Sequence, residues 1–326
     1  MNGPGRDVRS GLVALAVGVA AATIALVVAL LARGDDGGGD HHAGRRAPTS
    51  TTATTSGATS TTTTPSSTEG TMPPASTPPP GAVQRDYPWH RGIVATTFWV
   101  GELFEETLAD GSQVCSTYDS QWAFHWSGVD KGRVPASAPG CAGSIWGGCD
   151  GIWTPDGRCE TERRTAENDW FPTQARPLEN PFYLDLPYDD LNDPIGFARR
   201  CEVVPWANDP GYAGRCGDRA FSYMKNRWVR IVGPNGRTCY AQIQDAGPSH
   251  DDLYHDAEYV FGSHDARPHQ RRFNNAGMDV SPAVNGYLGF SDLNGSDDRV
   301  DWQFVERWQV PEGPWTKVET TSGVTL

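Results

Sequence analysis

The sequence predicts a mainly β domain with a few short helices, set behind an N-terminal hydrophobic segment and a long linker. Three observations carry this expectation. All 10 Tyr and all 12 Trp of the 326 residues fall between Tyr87 and Trp315. Within that region, short runs of β-branched and aromatic residues recur between clusters of Gly, Pro, Asn and Asp. Ahead of it, Ala47 to Pro80 is almost wholly Thr, Ser, Pro, Ala and Gly, a composition that cannot bury a core.

In chain order, Gly11 to Ala32 is an unbroken run of 22 apolar or small residues. As a helix it rises about 33 Å, the hydrocarbon thickness of a bilayer. Cleavable signals have shorter apolar stretches and an A-x-A-like exit, whereas the exit here reads Leu30-Leu31-Ala32-Arg33. Residues 1–33 are therefore expected to form a signal anchor, with a cleaved signal and a secreted product as the alternative. Arg6 and Arg9 precede the run and Arg33, Arg45 and Arg46 follow it, which leaves the positive-inside rule nearly silent. The cysteines orient the chain instead. All seven lie between Cys115 and Cys239, a usage that suits an oxidising compartment. The expected location is the cell membrane, single-pass, with the C-terminal domain outside the cytoplasm. Residues 34–85 would be a linker reaching on the order of 150 Å if extended.

The folded region is expected over residues 86–315, with 316–326 a tail. Ile93 to Val100 reads as a first strand, and Phe182 to Leu186 alternates apolar with more polar residues. Trp228–Val232 and Cys239–Ile243 flank Gly233-Pro234-Asn235-Gly236, a hairpin turn signal. Val300, Trp302 and Phe304 alternate with Asp301 and Gln303. One short helix is marked by Ser281 as cap, Pro282 in its first turn and Gly289 just past Leu288. Between about 102 and 180 the chain is loop-like, a Cys- and Trp-rich insertion. Proximity favours the disulfides Cys149–Cys159, Cys201–Cys216 and Cys115–Cys141, leaving Cys239 over. A zinc site lacks the C-x-x-C or paired Cys/His spacing it needs.

Beyond position 85 the chain carries 35 acidic and 21 basic residues, a net charge of −14. Such a domain is repelled by nucleic acid, which is excluded as a partner, and by anionic lipid. No G-x-S-x-G or phosphate loop occurs. The charge-dense stretch with His250, Asp251, Asp252, His255, Asp256 and Glu258 reads as a solvated loop, with His264 and His269 beyond it. Asp292 to Asp297 echoes half a calcium loop but lacks the closing Glu. No metal or other cofactor is expected.

The informative stretch is Cys239-Tyr240-Ala241-Gln242-Ile243-Gln244-Asp245-Ala246-Gly247-Pro248, followed by Gly277-Met278-Asp279-Val280-Ser281-Pro282. A strand ending in D-x-G-P, then an Asp-aliphatic-Ser opening a short helix, resembles the double-psi β-barrel. That fold is shared by expansins, family-45 endoglucanases, barwin-like proteins, rare lipoprotein A and membrane-bound lytic transglycosylase A. Ala95-Thr96-Thr97-Phe98-Trp99 resembles the Thr-aromatic-aromatic start of expansins and endoglucanases. The longer run from Pro181 to Leu186 and from Met224 to Phe290 looks like secreted barrel proteins of actinobacterial type. The resemblance covers roughly half of the folded region and implies a six-stranded double-psi β-barrel.

By that resemblance, Asp245 matches the general acid of lytic transglycosylases, and Asp279 matches the position of the endoglucanase acid. Glycoside cleavage needs one carboxylic acid to protonate the leaving oxygen and often a second carboxylate to activate water. Two carboxylates on one groove raise each other's proton affinity. The expected roles are Asp245 as proton donor and Asp279 as activator of water or stabiliser of an oxocarbenium-like transition state. The structural alternative has Asp245 accepting backbone N–H bonds in its turn and Asp279 fixing the helix start. The sequence departs from the pattern at Gly277-Met278-Asp279, where His-Phe-Asp is usual. It departs again at Val100, where the endoglucanases have Asp; Glu102 lies two residues on. These departures favour a single-acid lytic mechanism, or no chemistry, over cellulase activity.

Trp99, Trp122, Trp126, Trp146, Trp153 and Trp170 cluster in and around the insertion. Aromatic faces stack on sugar rings, and the alternative is a Trp-rich core. The residues expected to bind substrate are Thr97, Trp99, Glu102, Trp122, Trp126 and Tyr240. The partner is then a cell-wall or environmental polysaccharide, bound and cleaved in an enzyme, or bound without cleavage in an expansin-like module. A third class is a structural envelope protein that contacts a protein partner.

Overall fold

The computed structural model describes residues 77–102, 115–128, 147–155, 157–249 and 253–325. The Gly11–Ala32 run, most of the linker, Cys141, Trp146, His250, Asp251 and Asp252 lie outside these residues. Among the described residues, no helix is long and apolar enough to cross a membrane.

Among the described residues, eight strands occur in chain order: β1 (His90–Thr97), β2 (Ile152–Trp153), β3 (Cys159–Glu160), β4 (Tyr183–Leu186), β5 (Trp228–Val232), β6 (Thr238–Ala246), β7 (Met278–Val280) and β8 (Arg299–Val305). The α-helices of the described residues are α1 (Trp122–Ser127), α2 (Pro194–Val203), α3 (Ala257–Val260) and α4 (Pro282–Leu288). Six strands close into a barrel in the order β1-β7-β4-β6-β5-β8, and β2 and β3 form a separate two-stranded ribbon. The protein is thus mainly β, a closed six-stranded barrel with short helices.

Local chemistry accounts for the elements. The β5–β6 hairpin turns at Asn235-Gly236, where Gly236 takes φ 76° and the Gly233 N–H closes the loop on the Arg237 carbonyl at 3.0 Å. Helix α4 begins at Ser281, whose side chain accepts the Val284 N–H, and ends at Gly289 in the left-handed conformation. Helix α2 was not anticipated. It carries the same start signal one residue type removed, with Asp193 accepting the Gly196 N–H at 2.6 Å and Pro194 in the first turn. Strand β7 also escaped notice, because three residues are too few to show a period. It nonetheless bridges β1 and β4 in the barrel.

One face of the strands supplies the main core, with Ile93, Ala95, Leu184, Ile243, Met278, Val280 and Trp302 all buried. A second, smaller cluster joins Phe98, Val100 and Tyr183 to Trp122, Ala123 and Trp126 of α1. The described part of the insertion is therefore fastened to the barrel through α1. The fastening continues through a buried polar chain. The Tyr183 hydroxyl donates to Asp150 at 2.7 Å and accepts the Val100 N–H at 3.0 Å, and Asp150 is paired with the fully buried Arg164. Disulfides Cys149–Cys159 and Cys201–Cys216 form as expected, and Cys239 is free and buried. Cys115 is also disulfide-bonded; Cys141, its expected partner, lies outside the described residues.

Residues 317–325, expected as a tail, lie against the barrel. Thr320 is buried, its N–H donates to Gln242 Oε1 at 2.9 Å, and its carbonyl accepts from Gln242 Nε2 at 3.0 Å. Gln242 Oε1 also accepts from Asn180 Nδ2 at 2.9 Å, while the Thr320 hydroxyl accepts the Asn180 N–H at 3.0 Å. Composition hides this, since the anchoring is by backbone and amide groups rather than apolar side chains. Removing one member strands its partners without water. Gln242→Leu is expected to lower unfolding free energy by about 2–4 kcal/mol in urea titration, and Thr320→Val by about 1–2 kcal/mol. A loss below the error of the titration in both would show that the network carries no weight.

Candidate functional site

Strand alternation and register assemble an acidic row. Asp185 in β4 pairs with Asp279 in β7 on one side and with Asp245 in β6 on the other, and Asp279 pairs in turn with Thr96 in β1. Partners in register share a face, so Thr96, Asp279, Asp185 and Asp245 line one side of four adjacent strands. It is the face opposite Leu184 and Val280, which are in the main core. Asp245 reaches this face through a register shift. Leu184 pairs with Ile243 and Asp185 with Asp245, so Gln244 is one extra residue in β6. In unbroken register Asp245 would follow Ile243 to the core face.

The carboxyls differ in surroundings. Asp245 is 7% exposed; its Oδ1 accepts the Thr117 N–H at 2.8 Å and the Ala246 N–H at 2.9 Å. Asp185 is 3% exposed, and its Oδ1 accepts the Asp279 N–H at 3.0 Å. Asp279 is only partly buried, yet its Oδ1 is buried and has no hydrogen-bond partner among the described residues. Glu102 is 9% exposed in the loop after β1 and lies within electrostatic reach of Asp279.

Burial raises the proton affinity of all four. Asp245 is pushed up to about 7 by desolvation, held back by the Thr117 and Ala246 N–H groups and raised further by the charge of Asp189. Asp279 is pushed up to about 7 by desolvation and then by the charge of Asp245. Desolvation carries Asp185 well above the ordinary carboxylate range, with Asp279 and Asp245 adding to it. Desolvation also carries Glu102 well above it, with Asp279 adding to the effect. No lysine or arginine of the described residues opposes these shifts. A row of this kind can hold and release a proton near neutral pH and can stabilise a nearby developing cation.

The structure brings together Asp245, Asp279 and Glu102 of the residues singled out in the sequence. Thr97 is not among them. It lies on the other face, where its hydroxyl accepts from Asn285 Nδ2 at 2.9 Å, and its neighbour Thr96 takes the place in the row. Trp122 and Trp126 lie on the buried side of α1, packed in one cluster with Phe98 and Tyr183, and present no ring face to a ligand. Tyr240 is buried beside Trp315, with ring centroids 5.2 Å apart, toward the end of β6 away from Asp245. Trp99 is partly exposed, and its Nε1–H donates to the Cys159 carbonyl at 3.0 Å. The loop histidines are engaged elsewhere: His255 meets Asp193 at 3.2 Å, His269 meets Asp256 at 2.6 Å, and His264 accepts the Trp89 N–H.

Asp185 was missed. The available signal was a carboxylate between Leu184 and Leu186 in a strand whose every residue is buried. Comparison with known proteins adds nothing to this geometry. No family model, curated protein or solved structure matches the chain.

The shifts fix how stability depends on pH. A carboxyl whose folded pKa lies above its ordinary 3.8 binds its proton more tightly in the native state. Its contribution is complete at low pH and is lost as pH rises through about 7. Buried His90, lowered to about 4 by desolvation, acts in the opposite sense but only below its ordinary 6.5. The thermal midpoint is therefore expected to fall by roughly 5 °C or more between pH 6.5 and 8.5. Asp279→Asn should flatten that slope. A midpoint that is constant, or rises, across the interval would contradict the assignment.

Proposed function

We propose that this is an extracytoplasmic glycan-acting protein whose acidic row cleaves a polysaccharide by general acid catalysis. The observation that carries the reading is the contrast between Asp245 and Asp279. Two backbone N–H groups favour the ionised form of Asp245, whereas nothing among the described residues hydrogen-bonds to the buried Oδ1 of Asp279. Of one proton shared near neutral pH, the larger part belongs on Asp279. Asp279 is also the more exposed of the two. Asp279 then protonates the glycosidic oxygen, and Asp245 as carboxylate activates water or stabilises the oxocarbenium-like transition state. These roles reverse those expected from the sequence, for the reason just given.

Two strand spacings separate Asp245 from Asp279, about 9–10 Å between Cα atoms, with Asp185 in register between them. The double-psi barrel identity, of expansin or rare lipoprotein A type, belongs to this proposal. It is supported by the closed six-stranded barrel, by the D-x-G-P end of β6, and by the step from β7 through Ser281 into α4. The substrate class follows from charge. An uncompensated acidic row in a domain of net −14 disfavours polyanions and suits a neutral or amino-bearing glycan. The proposed location outside the cytoplasm, with Gly11–Ala32 as anchor, accords with the disulfides.

A second reading is a binding or loosening module without turnover. The two N–H bonds on Asp245 favour it, since they are what a purely structural turn carboxylate would make. Incubating the domain from Asp86 onward with insoluble peptidoglycan, cellulose, chitin and arabinogalactan separates the two. Soluble fragments are expected from one of them, reduced about 10²–10⁴-fold in Asp279→Asn and in Asp245→Asn. Binding without fragments, unchanged in both variants, would leave the module reading. Neither binding nor cleavage would remove glycans as the partner.

A further inference from the structure

We propose that Asp185 is the positioning residue of the acid pair, a neutral carboxyl wedged between Asp245 and Asp279 that seats the β7 backbone and leaves the working proton to Asp279. The inference rests on the reading of Asp245 and Asp279 as that pair. Asp185 belongs to neither sequence motif, and it is the member of the row held from both sides. Its Oδ1 faces β7 and accepts the Asp279 N–H at 3.0 Å. Its Oδ2 lies toward β6, where a Cβ on Gly247 would stand 2.6 Å away. Gly247 therefore has to be glycine for Asp185 to sit where it does, which gives the D-x-G-P turn a second purpose. Besides closing the end of β6, it makes room for a carboxyl from the neighbouring strand.

Burial first, and then the charges that face it, hold Asp185 toward its protonated form. Asp245 faces it from β6 and Asp279 from β7. Behind them stand Asp189, acting on Asp245 from the loop after β4, and Glu102, coupled to Asp279 from the loop after β1. No cation of the described residues enters this set, and Asp185 is the most buried of the three aspartates. A third negative charge at its position would oppose the ionisation of Asp245 that the mechanism needs. A neutral Asp185 adds none. With Oδ1 engaged as an acceptor toward β7, the proton belongs on Oδ2, on the β6 side.

The test compares Asp185→Asn, Asp185→Ala and Gly247→Ala in the full chain, read in two ways. The first is the pH profile of kcat/KM on the glycan that is cleaved. Asp185→Asn keeps a neutral group with an oxygen for the Asp279 N–H, and is expected within about threefold of the wild type with the same pH limbs. Asp185→Ala and Gly247→Ala should lower kcat on the order of tenfold, leave KM nearly constant and displace the limb that belongs to Asp279. The second readout needs no substrate. Difference infrared titration of the wild type against Asp185→Asn should isolate a protonated carboxyl band that outlasts those of Asp245 and Asp279 as pH rises. Loss of activity in Asp185→Asn equal to that in Asp279→Asn would make Asp185 the donor and overturn the proposal. An unmoved pH profile in all three variants would reduce Asp185 to packing, and a band lost before those of Asp245 and Asp279 would show that it ionises. If no glycan is turned over at all, the acid-pair reading fails while the infrared result still decides the state of Asp185.

Discussion

A single extra residue in β6 governs the site. Leu184 is level with Ile243 and Asp185 with Asp245, so Gln244 is accommodated between two successive pairings. Side chains alternate along a strand, and one residue of slip exchanges every face. Without the shift Asp245 would enter the hydrophobic core, where an unpaired carboxylate is several kcal/mol unfavourable. The irregularity is supported from the turn just before β5. Asn226, in the left-handed conformation at φ 65°, donates its N–H to the Ile243 carbonyl at 2.8 Å, and its side chain accepts from Gln244 Nε2 at 2.9 Å. The bulge is thus a supported feature, of the kind that re-aims side chains beside functional sites.

Once Asp245 is turned outward, its surroundings decide what it is. The segment from Cys115 to Ser120 brings the Thr117 N–H to it, and that segment is itself clamped. Asn192 Nδ2 donates to the Thr117 carbonyl at 2.7 Å and to its hydroxyl at 2.8 Å, and Thr325 exchanges backbone hydrogen bonds with Tyr118 and Ser120. Asn192 is in turn placed by the loop after β4, where Asp189 Oδ1 accepts its N–H at 2.8 Å. Fully buried Arg200 of α2 ties that loop down through the carbonyls of Asp190, Phe221, Arg215 and Asp218. A guanidinium spent on carbonyls is not available to neutralise the acids. The frame therefore positions the row and leaves its charge uncompensated.

The barrel was legible in the sequence where local chemistry is strong. The Asn235-Gly236 turn, the Ser281 cap with Gly289 and the alternation around Trp302 all place their elements within a few residues. Asp245 and Asp279 were legible because each sits in a short motif with turn or cap residues beside it. What was not legible depends on register. Thr96 and Thr97 are equivalent in a sequence, and only pairing with β7 decides which one joins the row. Asp185 has no motif, and its importance comes from two strands far away in the chain. The Trp-rich stretch misled for a related reason. Composition shows that rings cluster, but Trp122 and Trp126 turn inward because Phe98 and Tyr183 supply the facing surface.

The row sets stability and chemistry against each other. Each buried carboxyl is most at ease when protonated, so the fold is best satisfied in mild acid, where the acid pair holds two protons and no base remains. Chemistry needs one of the two ionised, which occurs as pH approaches 7, where most of the advantage these carboxyls give the native state in acid has been lost. Backbone N–H groups on Asp245 lower the cost of that ionisation at one defined position. The same bonds read as purely structural when Asp245 is considered alone. Set beside an Asp279 carboxyl with an unpartnered buried oxygen, they become the source of asymmetry in the pair. It is this asymmetry, more than the presence of two aspartates, that distinguishes a proton donor from its partner and gives the groove a direction.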